Sequence, residues 1–249
     1  MIERSDNDGI AILRLAHGKA SAMDLELSEA ILSAIDGALD ARAIVLTGTG
    51  SIFSAGVDLF RLVDEGEPYA RRFSPALIEL LTGLFTIPIP VVAACNGHAI
   101  AGGCIMVAAC DYRLMAAGDG RVGVPELLVG VAFPPIALEI ARYGMAPQFV
   151  QEMVYTGRTV GPDEALRRGM IDEVVDPAQL LPRALAVAAQ LAAVPKDVFR
   201  ITKMQLRRET IERARALGEM VPVVEDIWAA PESHARIREY LAKTIRKSR

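Results

Sequence analysis

Along the first half of the chain, short apolar runs alternate with segments whose apolar positions recur every three or four residues. "GIAILRL" (9–15) reads as a strand, followed by a turn at "AHGKAS". An amphipathic helix is predicted over about 24–39, with Leu25, Leu27, Ala30, Ile31, Ala34, Ile35 and Ala38 on its apolar face. "AIVLTG" (43–48) is apolar at successive positions, which suits a strand covered on both faces. The order then repeats: a helix over about 70–86, a strand at "PVVAAC" (90–95), a turn at "NGHAIAGG", and a helix over 104–110. "YRLMAA" (112–117) and "RVGV" (121–124) are further short strands. After Pro134 the pattern is helical, interrupted by "DEVVD" (172–176) and by Pro177, Pro195, Pro222 and Pro231. This predicts one α/β domain of strand-strand-helix turns with a helical C-terminal region from about 190, whose own Leu and Ala faces suit packing on a neighbouring subunit.

From Leu80 to Cys110 no Asp, Glu, Lys or Arg occurs, a run of 31 residues. Its length raises a membrane span, but Pro88, Pro90, Asn96-Gly97 and Gly102-Gly103 would break a spanning helix. A buried strand followed by a buried helix is expected instead.

Composition narrows the function. Hydrophobic residues make up 52% and aromatics 5% of the 249 residues, so the core is aliphatic. A net charge of −4 argues against nucleic acid or a membrane surface as main partner. Basic clusters at Arg200, Lys203, Arg207 and Arg208 and at 246–249 read as solvated faces. Cys95, Cys104 and Cys110 share the uncharged stretch, which fits reduced, packed thiols and neither a disulfide framework nor a zinc site. The acidic "MIERSDNDG" has no apolar signal region and "KSR" is not the peroxisomal tripeptide, so a cytoplasmic protein is expected.

Three segments carry candidate chemistry. "FSAGVDL" (53–59) and "AIAGGCI" (99–105) share one design: a strand ends, glycine turns the chain and a helix begins. A helix N-terminus offers unpaired backbone N–H groups, and glycine lets a ligand oxygen approach them. Two such N–H groups converging would make an oxyanion hole, each donor worth on the order of 3 kcal/mol toward a transition state. Singly, each turn is equally what a structural strand–helix connection requires. In "VGVPELLVG" (122–130), Glu126 sits among Val122, Val124, Leu127, Leu128 and Val129. Desolvation there would raise its pKa toward that of a general base working near neutrality; the bland reading is a surface acid in a helix's first turn.

Taken together, "FSAGVDL", "NGHAIAGGCIMVAACDYRLMA" and "VPELLVGV", with "YTGRTVGPDEALRRGMIDEVV" (155–175), resemble the crotonase superfamily of enoyl-CoA hydratases and isomerases. The resemblance implies a spiral of strand-strand-helix turns (1–190) with a helical C-terminal trimerisation region (191–249). It also implies a trimer or dimer of trimers, and an acyl-CoA thioester as substrate. It places the oxyanion N–H groups on Val57 and Gly102 and the base on Glu126. Ala20, Ala22 and the loop Ser54, Ala55, Gly56, Val57, Asp58 and Leu59 would line the CoA groove. Tyr240 and Lys243 would approach the CoA, and Phe133 would shape the acyl pocket.

The hydratases of that superfamily hold a water between two glutamates; here the first place is Ile105, which cannot bind or exchange a proton. Glu126 alone can move a proton from C2 to C4, so the resemblance points to Δ3,Δ2-enoyl-CoA isomerisation. The alternatives are an atypical hydratase with a single glutamate and a non-catalytic acyl-CoA-binding subunit. No metal or redox cofactor is implied; coenzyme A enters as part of the substrate. Glu139 is a possible second acid expected on the outward side of its helix. His98 is expected to be structural, and His17 and His234 have no evident partners. Asp58 is expected to cap a helix and Asp111 to begin a strand.

Overall fold

The apolar runs become the inner strands of a six-stranded sheet in the computed structural model, which describes residues 1–247. The chain starts with the hairpin β1 (Ile2–Asn7) and β2 (Ile10–Leu15), then α1 (Leu25–Asp36). The first turn of the spiral is β3 (Ala43–Thr47), β4 (Ile52–Ser54), α2 (Leu59–Glu65) and α3 (Glu67–Thr86). The second is β5 (Val91–Cys95), β6 (His98–Ile100) and α4 (Gly102–Ala109). The third is β7 (Tyr112–Ala116), β8 (Val122–Gly123), α5 (Glu126–Val129) and α6 (Pro135–Tyr143). There follow α7 (Pro147–Thr156), β9 (Thr159–Val160), α8 (Pro162–Arg167), β10 (Glu173–Val175) and α9 (Leu180–Ala192). Three helices come last: α10 (Lys196–Ala216), α11 (Met220–Ala229) and α12 (Pro231–Lys247).

In each turn the first strand joins one sheet and the second joins another. The orders are β1-β2-β3-β5-β7-β10 and β4-β6-β8-β9, parallel except for β1 and β9. Side-chain alternation explains the apolar runs. In the larger sheet Ala11, Leu13, Ile44, Leu46, Val91, Ala93 and Met115 face the main core. Their neighbours Ile10, Ile12, Val45, Val92, Ala94 and Leu114 face α9, through Leu180, Ala184, Val187 and Ala188.

The uncharged stretch is the end of α3, then β5, β6 and α4; among the described residues no helix is long and apolar enough to cross a membrane. Its three cysteines are buried and unbridged, and burial pushes each thiol up to about 12.

Within the chain, α11 packs on α3, and α12 packs on α2 and α5. Two expectations need correcting. Lys203 and Arg207 are not solvated but buried, both bound to Asp111 at 2.7 and 2.8 Å. Lys203 also donates to Ile89 O and Arg207 to Phe85 O, so this cluster pins α10 to the core. Asp111, just ahead of β7, accepts from Val91 N as well. Glu139 is buried, not outward, and is held by Arg213 of α10 at 2.6 Å and by Arg142 at 3.4 Å. The terminal basic run 246–249 lies outside the residues whose side chains are described.

Candidate active site

The three chemistry-bearing segments lie at the carboxyl ends of adjacent parallel strands. In the smaller sheet β4 pairs β6 and β6 pairs β8, so "SAGV", "AIAGG" and "VPEL" leave the same edge side by side. The first two touch. Gly56, at φ +81°, lies so near that a Cβ on it would come 2.6 Å from Ile100 O and 3.3 Å from Gly102 N. Only glycine meets both demands.

The segment 20–23 holds the first turn from its other side. Ala55 N donates to Ala20 O, Met23 N to Gly56 O, and Asp58 N to Met23 O. In this parallel bridge between Met23 and Val57, the bonds fall on the residues flanking Val57. The N–H of Val57 itself stays outside the ladder. Asp58 then caps α2, accepting from Arg61 N at 3.0 Å. Farther along, Arg61 ties α2 to α1 through Glu26 and Asp24.

The second turn is strained. Ala101 adopts φ +52°, a conformation costing about 1–3 kcal/mol for a residue with a Cβ. Its N–H bonds Gly123 O at 2.8 Å, which fixes the turn to β8. Gly102 is the first residue of α4, and helix geometry gives its N–H no partner within the helix. A Cβ there would meet Met23 Cε at 2.1 Å.

A cavity of about 110 Å³ opens against both turns. Val57, Gly102, Ile105 and Glu126 line it, with Leu62, Leu77, Leu81, Phe133, Trp228 and Tyr240 among its apolar walls. Among the described residues, Glu126 is the only charged one lining it. It is 8% exposed, and its Oε2 has no hydrogen-bond partner among the described residues. Burial pushes its carboxyl up to about 8, against the smaller pull of its own backbone N–H. Desolvation of this kind gives a carboxyl the elevated pKa that general acid–base chemistry near neutrality requires.

A family profile described as "Enoyl-CoA hydratase/isomerase" matches residues 5–241. The chain belongs to the enoyl-CoA hydratase/isomerase family. Membership makes it an enzyme of CoA metabolism. It is 28% identical over 217 residues to rat mitochondrial enoyl-CoA delta isomerase 1, covering 85% of this chain and 75% of that one. It is 34% identical over 210 residues to carnitinyl-CoA dehydratase of Escherichia coli, covering 79% and 78%. The solved enoyl-CoA isomerase of Mycobacterium tuberculosis superposes with TM-score 0.82 at 30% identity, over 89% of this chain and 97% of that one. Human mitochondrial delta3-delta2-enoyl-CoA isomerase matches over 99% of this chain and 98% of its own, with TM-score 0.91; at 23% identity that likeness shows the shared fold.

Against this family background the expected site residues divide. Ala55, Val57, Leu59, Gly102, Ile105, Glu126, Phe133 and Tyr240 line the cavity. Ser54 does not: it is buried, with its hydroxyl donating to Ser21 O and accepting from Gly56 N, so it braces the turn. Ala20, Gly56 and Asp58 likewise shape the turn through their backbone hydrogen bonds, and Ala22 is not among the residues lining the cavity. Lys243 is exposed and paired with Glu239, away from the cavity walls. His17 has a partner after all, Asp24 at 2.8 Å, and His234 meets Trp228 O at 2.8 Å. Sequence reasoning missed Trp228 and the α3 leucines. The single tryptophan was a visible signal, but nothing local tied it to the site.

Proposed function

We propose that this enzyme isomerises a 3-enoyl-CoA to the conjugated 2-enoyl-CoA, with Glu126 as the sole proton carrier. The carrying observation is one unpartnered carboxyl in an otherwise apolar cavity, with Ile105 in the same wall. Glu126 takes the proton from C2, and the electron pair of that C–H bond spreads through C3=C4 and the thioester carbonyl. The N–H groups of Val57 and Gly102 receive the developing oxyanion. Glu126 then returns the proton to C4, leaving the double bond at C2=C3. No water is consumed, and an apolar Ile105 keeps water from competing.

The test is a parallel assay with a 3-enoyl-CoA and a 2-enoyl-CoA. Isomerisation without hydration is expected; Glu126→Gln lowers kcat by at least about 10²-fold while acyl-CoA still binds. Normal turnover by that variant would overturn the assignment. The likeness to a dehydratase supports a second reading, hydration by Glu126 alone. It predicts a measurable wild-type hydration rate that Ile105→Glu raises.

A further inference from the structure

The apolar wall of the cavity bears on the length of acyl chain it takes, a point that rests on the proposed acyl-CoA reading. Trp228 of α11 lines the cavity and is 2% exposed. Its indole N–H donates to Ala132 O at 2.8 Å. Its ring stacks on Phe73 at 6.1 Å, and Phe73 stacks on Tyr69 at 5.7 Å. Behind it, the Trp228 carbonyl meets the His234 ring at 2.8 Å, which fixes the junction of α11 and α12. With both the ring and the backbone held, the indole cannot swing aside without breaking a buried hydrogen bond and an aromatic stack.

We infer that Trp228 is the depth stop of the acyl pocket and restricts this enzyme to short acyl chains with unsubstituted, uncharged ends. At about 110 Å³ the cavity is smaller than the roughly 150 Å³ apolar cavity that takes up one benzene, so it suits a short chain. Leu77 and Leu81 of α3 line the cavity with Trp228. With the indole N–H already spent on Ala132, the stop offers an incoming chain end no donor. A carboxylate at that end would find no cation among the described residues lining the cavity, and a polar end would lose its hydration without replacement.

The experiment measures kcat/KM for unbranched 3-enoyl-CoA substrates of six, eight, ten and twelve carbons. Binding of the matching saturated acyl-CoAs is titrated in parallel. For the wild type, kcat/KM is expected to fall at least tenfold between six and ten carbons. Trp228→Ala should bring that ratio within threefold. Leu81→Phe, which takes up part of the cavity, should steepen it. A wild type that turns over twelve carbons as readily as six would overturn the inference. So would a folded Trp228→Ala whose length ratio is unchanged. If that variant does not fold by circular dichroism, Trp228→Leu and the Leu81→Phe ratio decide instead. If no enoyl-CoA is isomerised at all, the proposed function fails. The saturated acyl-CoA titrations then still report pocket depth, with weaker binding beyond eight carbons expected and a flat series overturning it.

Discussion

Gly56 and Ile100 belong to different turns of the spiral, yet a Cβ on Gly56 would sit 2.6 Å from the Ile100 carbonyl oxygen. The two candidate oxyanion turns are therefore built as one object, and neither can move without the other. Gly56→Ala would meet both a backbone oxygen and an unfavourable φ of +81°. We expect it to cost about 2–4 kcal/mol of stability by thermal or urea unfolding. Its kcat should fall further than its acyl-CoA affinity.

With Glu126 as the proposed base, its elevated carboxyl should make catalysis pH-dependent. Only its ionised form accepts a proton, so kcat/KM should rise with pH and level off above about 8. A profile already flat from pH 6 would contradict the buried-base assignment.

The same group sets a stability trend of known sign. Its carboxyl ionises near 4.5 in the unfolded chain and near 8 in the native one. Between those values the native state holds a proton that the unfolded state has released, so stability declines as pH rises through that window. Glu126→Gln cannot follow. Its Tm should exceed the wild type's by on the order of 5 °C at pH 9, with the gap shrinking toward pH 4.5.

Asp111 neutralises two buried cations, Lys203 and Arg207. Asp111→Ala would leave both unpaired and is expected to cost about 3–5 kcal/mol, read by denaturant unfolding. Lys203 already feels its burial, which pushes its ammonium down to about 8.

Glu139 supplies a control on the number of catalytic acids. Buried against Arg213 and Arg142, it ties α6 to α10. Glu139→Gln should lower stability by about 1–3 kcal/mol and leave the pH–rate profile in place. A shifted profile would restore it as a second acid.

Legibility varied with how local the cause of each feature was. The strands β3 and β5 announced themselves because both their faces are covered, leaving no polar alternation. The edge strand β1 was silent: "IERSDN" is charged, mostly exposed, and paired along one side only. Within "NGHAIAGG" the three-residue strand β6 was too short to separate from its turns. Glu126 was found partly for the wrong reason. Of the apolar neighbours that suggested burial, Leu127 and Leu128 are 43% and 55% exposed. The burial comes instead from distant segments, α3, α4 and α11 among them. Lys203 and Arg207 stand four residues apart on a helix, a spacing that looks the same whether the face meets water or Asp111.

The helices that close the cavity carry a consequence for how the enzyme is made. Synthesis runs from the N-terminal side, so both turns, Glu126 and the leucine-lined wall leave the ribosome well before Trp228 and Tyr240. Until α11 and α12 emerge, Leu62, Leu77 and Leu81 border an open apolar trough on a nascent chain, the kind of surface on which chaperones act. The pocket is completed by its latest-made parts, so the growing polypeptide carries Glu126 and both glycine turns before it can enclose the cavity.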